Sequence, residues 1–157
     1  MITLWERMKM EPDELRNRFS QIIKKYNSHF NNGDYEVSFL ISQSLFEDRI
    51  NVLWVLGSWH SENDDYLEWL KPRPDDTMNV SMKRKIEELK NWGIIDFSTF
   101  QKWKNLIHTR NNLIHFSLFN IEEYTSEISL SFFNEFRKID KLITDFKIKT
   151  NFYNESK

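Results

Sequence analysis

The chain of 157 residues contains no cysteine, only three glycines and only three prolines. Without cysteine, disulfides and thiolate metal sites are excluded. Because glycine and proline interrupt regular structure, their scarcity favours a few long helices over many short strands. No apolar run approaches the length that spans a bilayer, and the first ten residues lack a signal-peptide core. We therefore expect a cytoplasmic protein with no membrane partner.

One part of the chain also lacks negative charge. Residues 97–121 contain no Asp or Glu, although charged residues make up 29% of the sequence and the net charge is −2. The same stretch holds five basic or titratable cationic side chains: Lys102, Lys104, His108, Arg110 and His115. An anionic ligand would prefer this neighbourhood, while the overall charge argues against non-specific coating of nucleic acid.

Apolar residues recur at helical spacing in five segments. The first begins near Pro12 and stops at Asn31-Asn32-Gly33. The others are predicted at about 35–56, 80–92, 98–116 and from about 121 to 148. Asn120 and Glu123 resemble a capping box before the fifth helix. The second helix is apolar nearly all round, which is typical of a helix at the centre of a bundle or at a subunit interface.

These segments predict a single all-α domain over residues 1–157, built as an up-and-down bundle of four to five helices. The sequence Lys71-Pro72-Arg73-Pro74 cannot lie inside a helix, because proline removes a backbone donor and constrains the residue before it. We therefore predict an insert loop at about 58–79.

The predicted fourth helix carries the sequence Arg110-Asn111-Asn112-Leu113-Ile114-His115. Its arginine is a permanent cation, and its histidine can exchange protons near neutral pH. One group can hold a phosphoryl group and the other can move protons, which is enough to cleave a phosphodiester without a metal. On an ideal helix, however, Arg110 and His115 point about 140° apart, and Arg110 falls on the apolar face.

An arginine among core positions is costly unless it is paired, and three arrangements would explain it. Arg110 could form an ion pair with Glu47 or Asp48 on the second helix, which needs no catalysis. The helix could bend or bulge near Asn111 and bring Arg110 and His115 together. The apolar face could instead pack against a second subunit, so that the arginine reaches a shared cleft. The last two arrangements suit catalysis.

The spacing R-N-x-x-x-H, on a late helix of a bundle of this size, resembles the signature of the HEPN superfamily, many of whose members are ribonucleases. The segment 116–122 is also similar to the exit of that helix in family members. The resemblance implies a metal-independent endoribonuclease in which the 2′-hydroxyl of RNA attacks the adjacent phosphate. It further implies a homodimer in which two copies of the motif face one cleft, with no cofactor and no metal.

The resemblance also implies the roles of the motif residues. His115 would act as general acid and base, Arg110 would stabilise charge on the phosphoryl oxygens, and Asn111 would orient the substrate or add a hydrogen bond. The polar face of the same helix supplies candidates for RNA contact: Lys104, His108 and Asn112. His108 is more simply explained as a solvated surface histidine.

A toxin, or an effector in host–virus conflict, is the biological role that the resemblance suggests, with an antitoxin or another protein as a further partner. Toxins of the MNT–HEPN type often have Gly and then Tyr after the histidine, whereas this chain has Phe116 and Ser117. The tyrosine that a partner antitoxin adenylylates is therefore missing at that position. Two alternatives remain: a non-catalytic HEPN-like dimerisation or interaction module, and a regulator that acts through the acidic insert at 64–76.

Overall fold

The computed structural model describes residues 6–7, 10–62, 80–115 and 124–150. Within these ranges lie five helices of ten residues or more. They are α1 (Pro12–Asn31), α2 (Tyr35–Glu62), α3 (Met82–Asn91), α4 (Phe97–His115) and α5 (Ser126–Lys149). The described ranges contain no strand, which confirms the prediction of an all-α bundle. None of the described helices is long and apolar enough to cross a membrane.

Local signals set both ends of α1. Pro12 occupies the first turn, where its missing N–H is not needed, and Asp13 and Glu14 place negative charge at the positive end of the helix dipole. At the other end, Gly33 takes a φ of 75°, which glycine adopts without steric cost. The chain can therefore turn back at once into α2.

The start of α5 differs from the prediction. The helix begins at Ser126, and the side chain of Thr125 is its N-cap, accepting a hydrogen bond from the backbone N–H of Ile128. Threonine is a favoured cap because its hydroxyl satisfies one of the free N–H groups of the first turn. The proposed capping box at residues 120–123 lies outside the described residues.

The centre of the bundle is α2, which packs against α1, α3 and α5. Its buried apolar residues are distributed around the helix, as predicted: Phe39, Leu45, Phe46, Ile50, Val52, Leu53, Val55 and Leu56. The helix continues past its predicted end at Leu56 as far as Glu62. The first residues of the predicted insert are thus helical, and residues 63–79 lie outside the described chain.

The direction of α3 departs from the predicted up-and-down order. Lys85 Nζ donates to Asn51 Oδ1 at 2.7 Å, and Trp54 Nε1 donates to Glu88 Oε2 at 2.7 Å. Because both members of each pair advance together along the chain, α3 runs in the same direction as α2. Strict alternation needs a short turn between neighbouring helices, whereas these two are separated by the long segment after Glu62.

The last two helices complete the core, and they contact each other as well as α2. The hydroxyls of Ser129 and Ser38 are 2.8 Å apart, and Arg49 Nη1 lies 3.5 Å from Asp140 Oδ1, so α5 runs alongside α2 in the same direction. The helix α4 packs against both through Trp103, whose side chain is fully buried. This packing holds the second half of α4 over the middle of α2, at the level of Glu47.

Candidate functional site

Arg110 is held from two sides on the surface between α4 and α2. Its Nε donates to the carboxylate of Glu47, its Nη2 forms an ion pair with the same carboxylate, and its Nη1 donates to Asn111 Oδ1 at 2.7 Å. The side chain keeps 24% of its exposure. Of the three arrangements considered for this arginine, the geometry is that of an ion pair with an acid of α2.

Asp48, the other acid considered as a partner, faces away from α4. It forms ion pairs with Arg7 and with Arg49, whose Nη2 is 2.7 Å from Asp48 Oδ2. Adjacent residues of a helix differ by about 100° in direction, so Glu47 faces α4 while Asp48 faces the start of the chain. Of the two acids considered, Glu47 is therefore the partner of Arg110, and the proposal of Asp48 is wrong.

His115 is the last residue of α4 and is exposed. Within the described part of the chain, its ring has no recorded hydrogen bond or ion pair. From Phe97 to His115 every residue is α-helical, so the bulge that would bring Arg110 to His115 does not occur. Five helical steps separate the two residues by about 140° and about 7.5 Å along the axis. One copy of the chain does not bring these two side chains together.

The predicted polar face of α4 is open to solvent. Lys104, His108 and Asn112 are exposed, and the Nε2 atom of His108 lies 3.2 Å from Nδ2 of Asn112. His115 continues this line at the end of the helix. These residues lie on one face and within the acid-free stretch, so the face presents hydrogen-bonding groups and one lysine without a competing carboxylate of its own helix.

A second polar cluster lies next to Glu47 and was not singled out from the sequence. Lys85 is buried, with 2% exposure, and its ammonium donates to Asn51 one turn along α2 from Glu47. The polar residues Glu47, Asn51 and Trp54 recur at four and three positions and face α3 and α4. That spacing is the feature of the sequence from which the cluster could have been predicted. The cluster places a buried cation close to the Arg110–Glu47 pair.

Among the described residues, no three His, Asp or Glu side chains are grouped so that they could hold a metal ion. Comparison of the chain with protein-family models, curated proteins and solved structures gave no match. The functional argument therefore rests on α4 and on the α2 residues that touch it.

Proposed function

We propose that this chain is a metal-independent endoribonuclease of the HEPN type that acts as a homodimer and uses Arg110, Asn111 and His115. The observation that supports this most is the orientation of Arg110: a partly exposed guanidinium fixed by Glu47 and Asn111 on a helix that carries no acid. A fixed cation with free donors is the arrangement that stabilises a charged transition state without reorganisation.

The donor inventory of Arg110 leaves capacity for a ligand. An arginine guanidinium carries five N–H bonds. Nε and Nη2 on Glu47 and Nη1 on Asn111 engage three of them. The second N–H of each terminal nitrogen has no recorded acceptor among the described residues. Two N–H groups in one plane match two oxygens of a phosphate, which is how arginine binds phosphoryl groups most specifically.

A second copy of the chain would supply the proximity that a single α4 lacks. Ile114 lies one turn beyond Arg110 on the same side of α4 and is 42% exposed. Trp103, which lies two turns before Arg110 on the same side of α4, is fully buried in the core. The apolar side of α4 therefore extends from the core of one copy to an exposed end at Ile114. Packing this end of α4 against its symmetry mate would bury Ile114 and bring His115 of one copy towards Arg110 of the other.

The chemistry then needs only side chains and RNA. His115 accepts the proton of a 2′-hydroxyl of RNA, and the oxygen of that hydroxyl attacks the adjacent phosphorus. The bond from phosphorus to the 5′-oxygen breaks, and a protonated His115 donates a proton to that leaving oxygen. Arg110 stabilises the added negative charge on the phosphoryl oxygens, and Asn111 keeps the guanidinium oriented. The products are a 2′,3′-cyclic phosphate and a 5′-hydroxyl.

Cleavage of a mixed RNA in EDTA tests this proposal. We expect the wild-type protein to cleave, Arg110→Gln to lose roughly 10²–10³-fold in rate as loss of one charge-stabilising group does, and His115→Ala to lose roughly 10²–10⁴-fold. His60→Ala is the matched control, because it removes another exposed histidine, on α2, that the proposed site does not use. Its rate should stay within about threefold of wild type.

The products provide an independent check. Attack of the 2′-hydroxyl requires a terminal 2′,3′-cyclic phosphate, which is detected because phosphatase removes the terminal phosphate only after acid has opened the ring. Equal cleavage by wild type, Arg110→Gln and His115→Ala would contradict the proposal, because the cleavage would not depend on these residues. If the enzyme is a toxin or a defence effector, as we propose, its expression should arrest growth of a bacterial host and that of His115→Ala should not.

A non-catalytic interaction module is the second candidate, and the Arg110–Glu47 ion pair favours it. The carboxylate neutralises the arginine, and an ion pair between half-buried groups can be purely structural. In that case Arg110→Gln and Glu47→Gln would lower stability by similar amounts, and no variant would differ in RNA cleavage. Measuring urea unfolding and RNA cleavage on the same preparations separates the two candidates.

A further inference from the structure

The outer surfaces of α4 and α5, beside the proposed ribonuclease site, carry a concentration of positive charge. The exposed residues of α4 between positions 101 and 112 are all polar and include no acid: Lys102, Lys104, Asn105, His108 and Asn112. The exposed residues of α5 between positions 131 and 147 are also polar: Asn134, Arg137, Lys138, Lys141, Thr144 and Asp145. These two stretches thus expose five lysines and arginines and one acid, although the whole chain has a net charge of −2.

The two helices meet at a buried carboxylate that gathers two of these lysines. Glu135 of α5 has 2% of its side chain exposed, and its Oε1 contacts Lys102 Nζ of α4 at 2.6 Å and Lys138 Nζ at 2.9 Å. Its Oε2 accepts a hydrogen bond from Trp103 Nε1 at 3.0 Å. The two ammonium groups are therefore held side by side above a carboxylate that solvent hardly reaches, while their own side chains are 53% and 62% exposed.

This lysine pair keeps a net positive charge and free donors. Each ammonium carries three N–H bonds, so one bond from each to Glu135 leaves two on each for a ligand. Lys141 follows Lys138 by three residues on the surface of α5 and forms no ion pair with a described residue. Asp145 comes one turn later, and Asp140 is turned towards Arg49 of α2. Lys102, Lys138 and Lys141 thus form a row of cations, the lysine row, that leads from α4 onto α5.

A row of cations at neighbouring positions fits a flexible ligand with repeated negative charges. Residues three apart on a helix surface are about 5–6 Å apart, so successive charges of such a ligand can each meet one lysine. A lipid surface fits less well, because helices that bind membranes insert apolar side chains, and the exposed residues of these two stretches are all polar. Lysine also binds phosphate as a point charge, without the geometric fit that arginine gives to a carboxylate.

The position of the lysine row relative to Arg110 allows one strand to reach both. Lys102 precedes Arg110 by eight residues, which is about 12 Å along α4 and about 80° around it. The exposed apolar end of α4 at Ile114, which the proposed dimer buries, lies beyond Arg110 in the opposite direction. We propose that Lys102, Lys138 and Lys141 bind successive phosphates of a single RNA strand that continues to Arg110. This inference rests on the proposed function for the identity of the polyanion.

The salt dependence of RNA binding tests the lysine row. Fluorescence anisotropy in EDTA measures it with a 2′-O-methyl RNA of about twelve nucleotides, which cannot be cleaved by its own 2′-oxygen. For a single strand, the logarithm of the binding constant falls with the logarithm of the salt concentration, by about 0.7 for each phosphate contacted. Lys141→Gln should therefore make the slope less steep by about 0.7 and weaken binding roughly eightfold at about 50 mM salt.

Two sets of variants control for charge and for folding. Lys24→Gln removes an exposed lysine of α1, on the side opposite Tyr26, which packs against α5, and it should leave the slope unchanged. Lys102→Gln and Lys138→Gln each remove a partner of buried Glu135 as well as a cation. Lys102→Arg and Lys138→Arg keep the charge, so they should retain the wild-type slope while the glutamine variants lose about 0.7 each.

Three results would overturn the lysine row: a slope that Lys141→Gln leaves unchanged, equal affinity for RNA and for poly-glutamate of similar length, or binding to phosphatidylglycerol vesicles in place of RNA. The outcome is separable from that of the proposed function. Cleavage that requires Arg110 and His115, with a slope that no lysine of the row affects, would overturn the row alone. A slope that depends on these lysines in a protein that cleaves no RNA would keep the row and overturn the ribonuclease.

Discussion

Lys147, near the end of α5, offers a quantitative test of how the bundle is packed. Only 4% of its surface is exposed. Burial, and to a lesser extent the nearby positive charge of Arg49, lower the pKa of Lys147 from 10.5 to about 8, while Asp140 opposes part of this effect. The folded protein therefore disfavours the charged lysine, although at pH 7 the side chain still carries its proton.

The cost follows from the difference between the folded and unfolded pKa values. A change from 10.5 to about 8 corresponds to about 3 kcal/mol at pH 7. Between those two values the unfolded chain binds more protons than the folded protein, so this cost is present below pH 8 and is relieved as the pH rises to 10.5. Methionine has a similar shape and no charge. Because Lys147→Met does not titrate, its stability relative to wild type should fall by about 3 kcal/mol as the pH rises from 7 to 10.5.

Urea unfolding of wild type and Lys147→Met at several pH values between 7 and 10.5 measures this effect. The free energy of unfolding of the variant, minus that of wild type, should fall steadily over that window. Burial raises the pKa of Tyr26 and of Tyr124, but any titration of these side chains affects both proteins alike and cancels in the difference. Lys141→Met, at an exposed position of the same helix, is the control and should change stability little. A difference in stability between the two proteins that stays constant with pH would refute the reasoning.

Three further stability predictions concern other contacts. Burial raises the pKa of Glu135, but hydrogen bonds from two lysines and an indole outweigh this effect and leave the pKa lowered. Glu135→Gln should therefore lower the free energy of unfolding in urea by about 2 kcal/mol at pH 7. The loss should become smaller as the pH falls through the ordinary glutamate range. Gly57→Ala should destabilise the fold by about 1 kcal/mol, because the new Cβ would lie 2.6 Å from Ile94 Cδ1 and 3.0 Å from the Trp92 ring. This steric cost exceeds the gain from the better helix propensity of alanine. An unchanged melting temperature would contradict this prediction. Thr125→Ala should cost about 1 kcal/mol through loss of the cap, and Thr125→Ser should restore it.

The helices were predictable where a local signal controls them. Pro12 and Gly33 act through their own backbone geometry, so they bound α1 regardless of its surroundings. The predicted end of α2 was wrong because a glycine at position 57 lowers helix propensity but does not by itself end a helix. In the fold, α2 continues through that glycine, which lies where α2 passes closest to Trp92 and Ile94. Tertiary contact overrides a weak local preference of about 1 kcal/mol.

The candidate site was predictable to the level of residue types but not of partners. The sequence placed Arg110 on an apolar face and narrowed its partner to two neighbouring acids of α2. Choosing Glu47 over Asp48 requires the rotation of α2 within the bundle, which depends on contacts between distant segments. Because α2 is apolar nearly all round, the sequence likewise does not show which of its faces stays open, and so it does not show that Leu40 is 43% exposed while Phe39 is buried.

The central claim is that Arg110 and His115 from two copies form one metal-independent site. Mixing Arg110→Gln with His115→Ala subunits, after unfolding and refolding them together in EDTA, tests it most directly. If each site takes its arginine from one copy and its histidine from the other, half of the dimers are mixed and each has one intact site, so activity should return to about a quarter of the wild-type rate. A mixture as inactive as its two components, prepared beside an active wild type, would contradict the shared site, and an inactive wild type would contradict the ribonuclease itself.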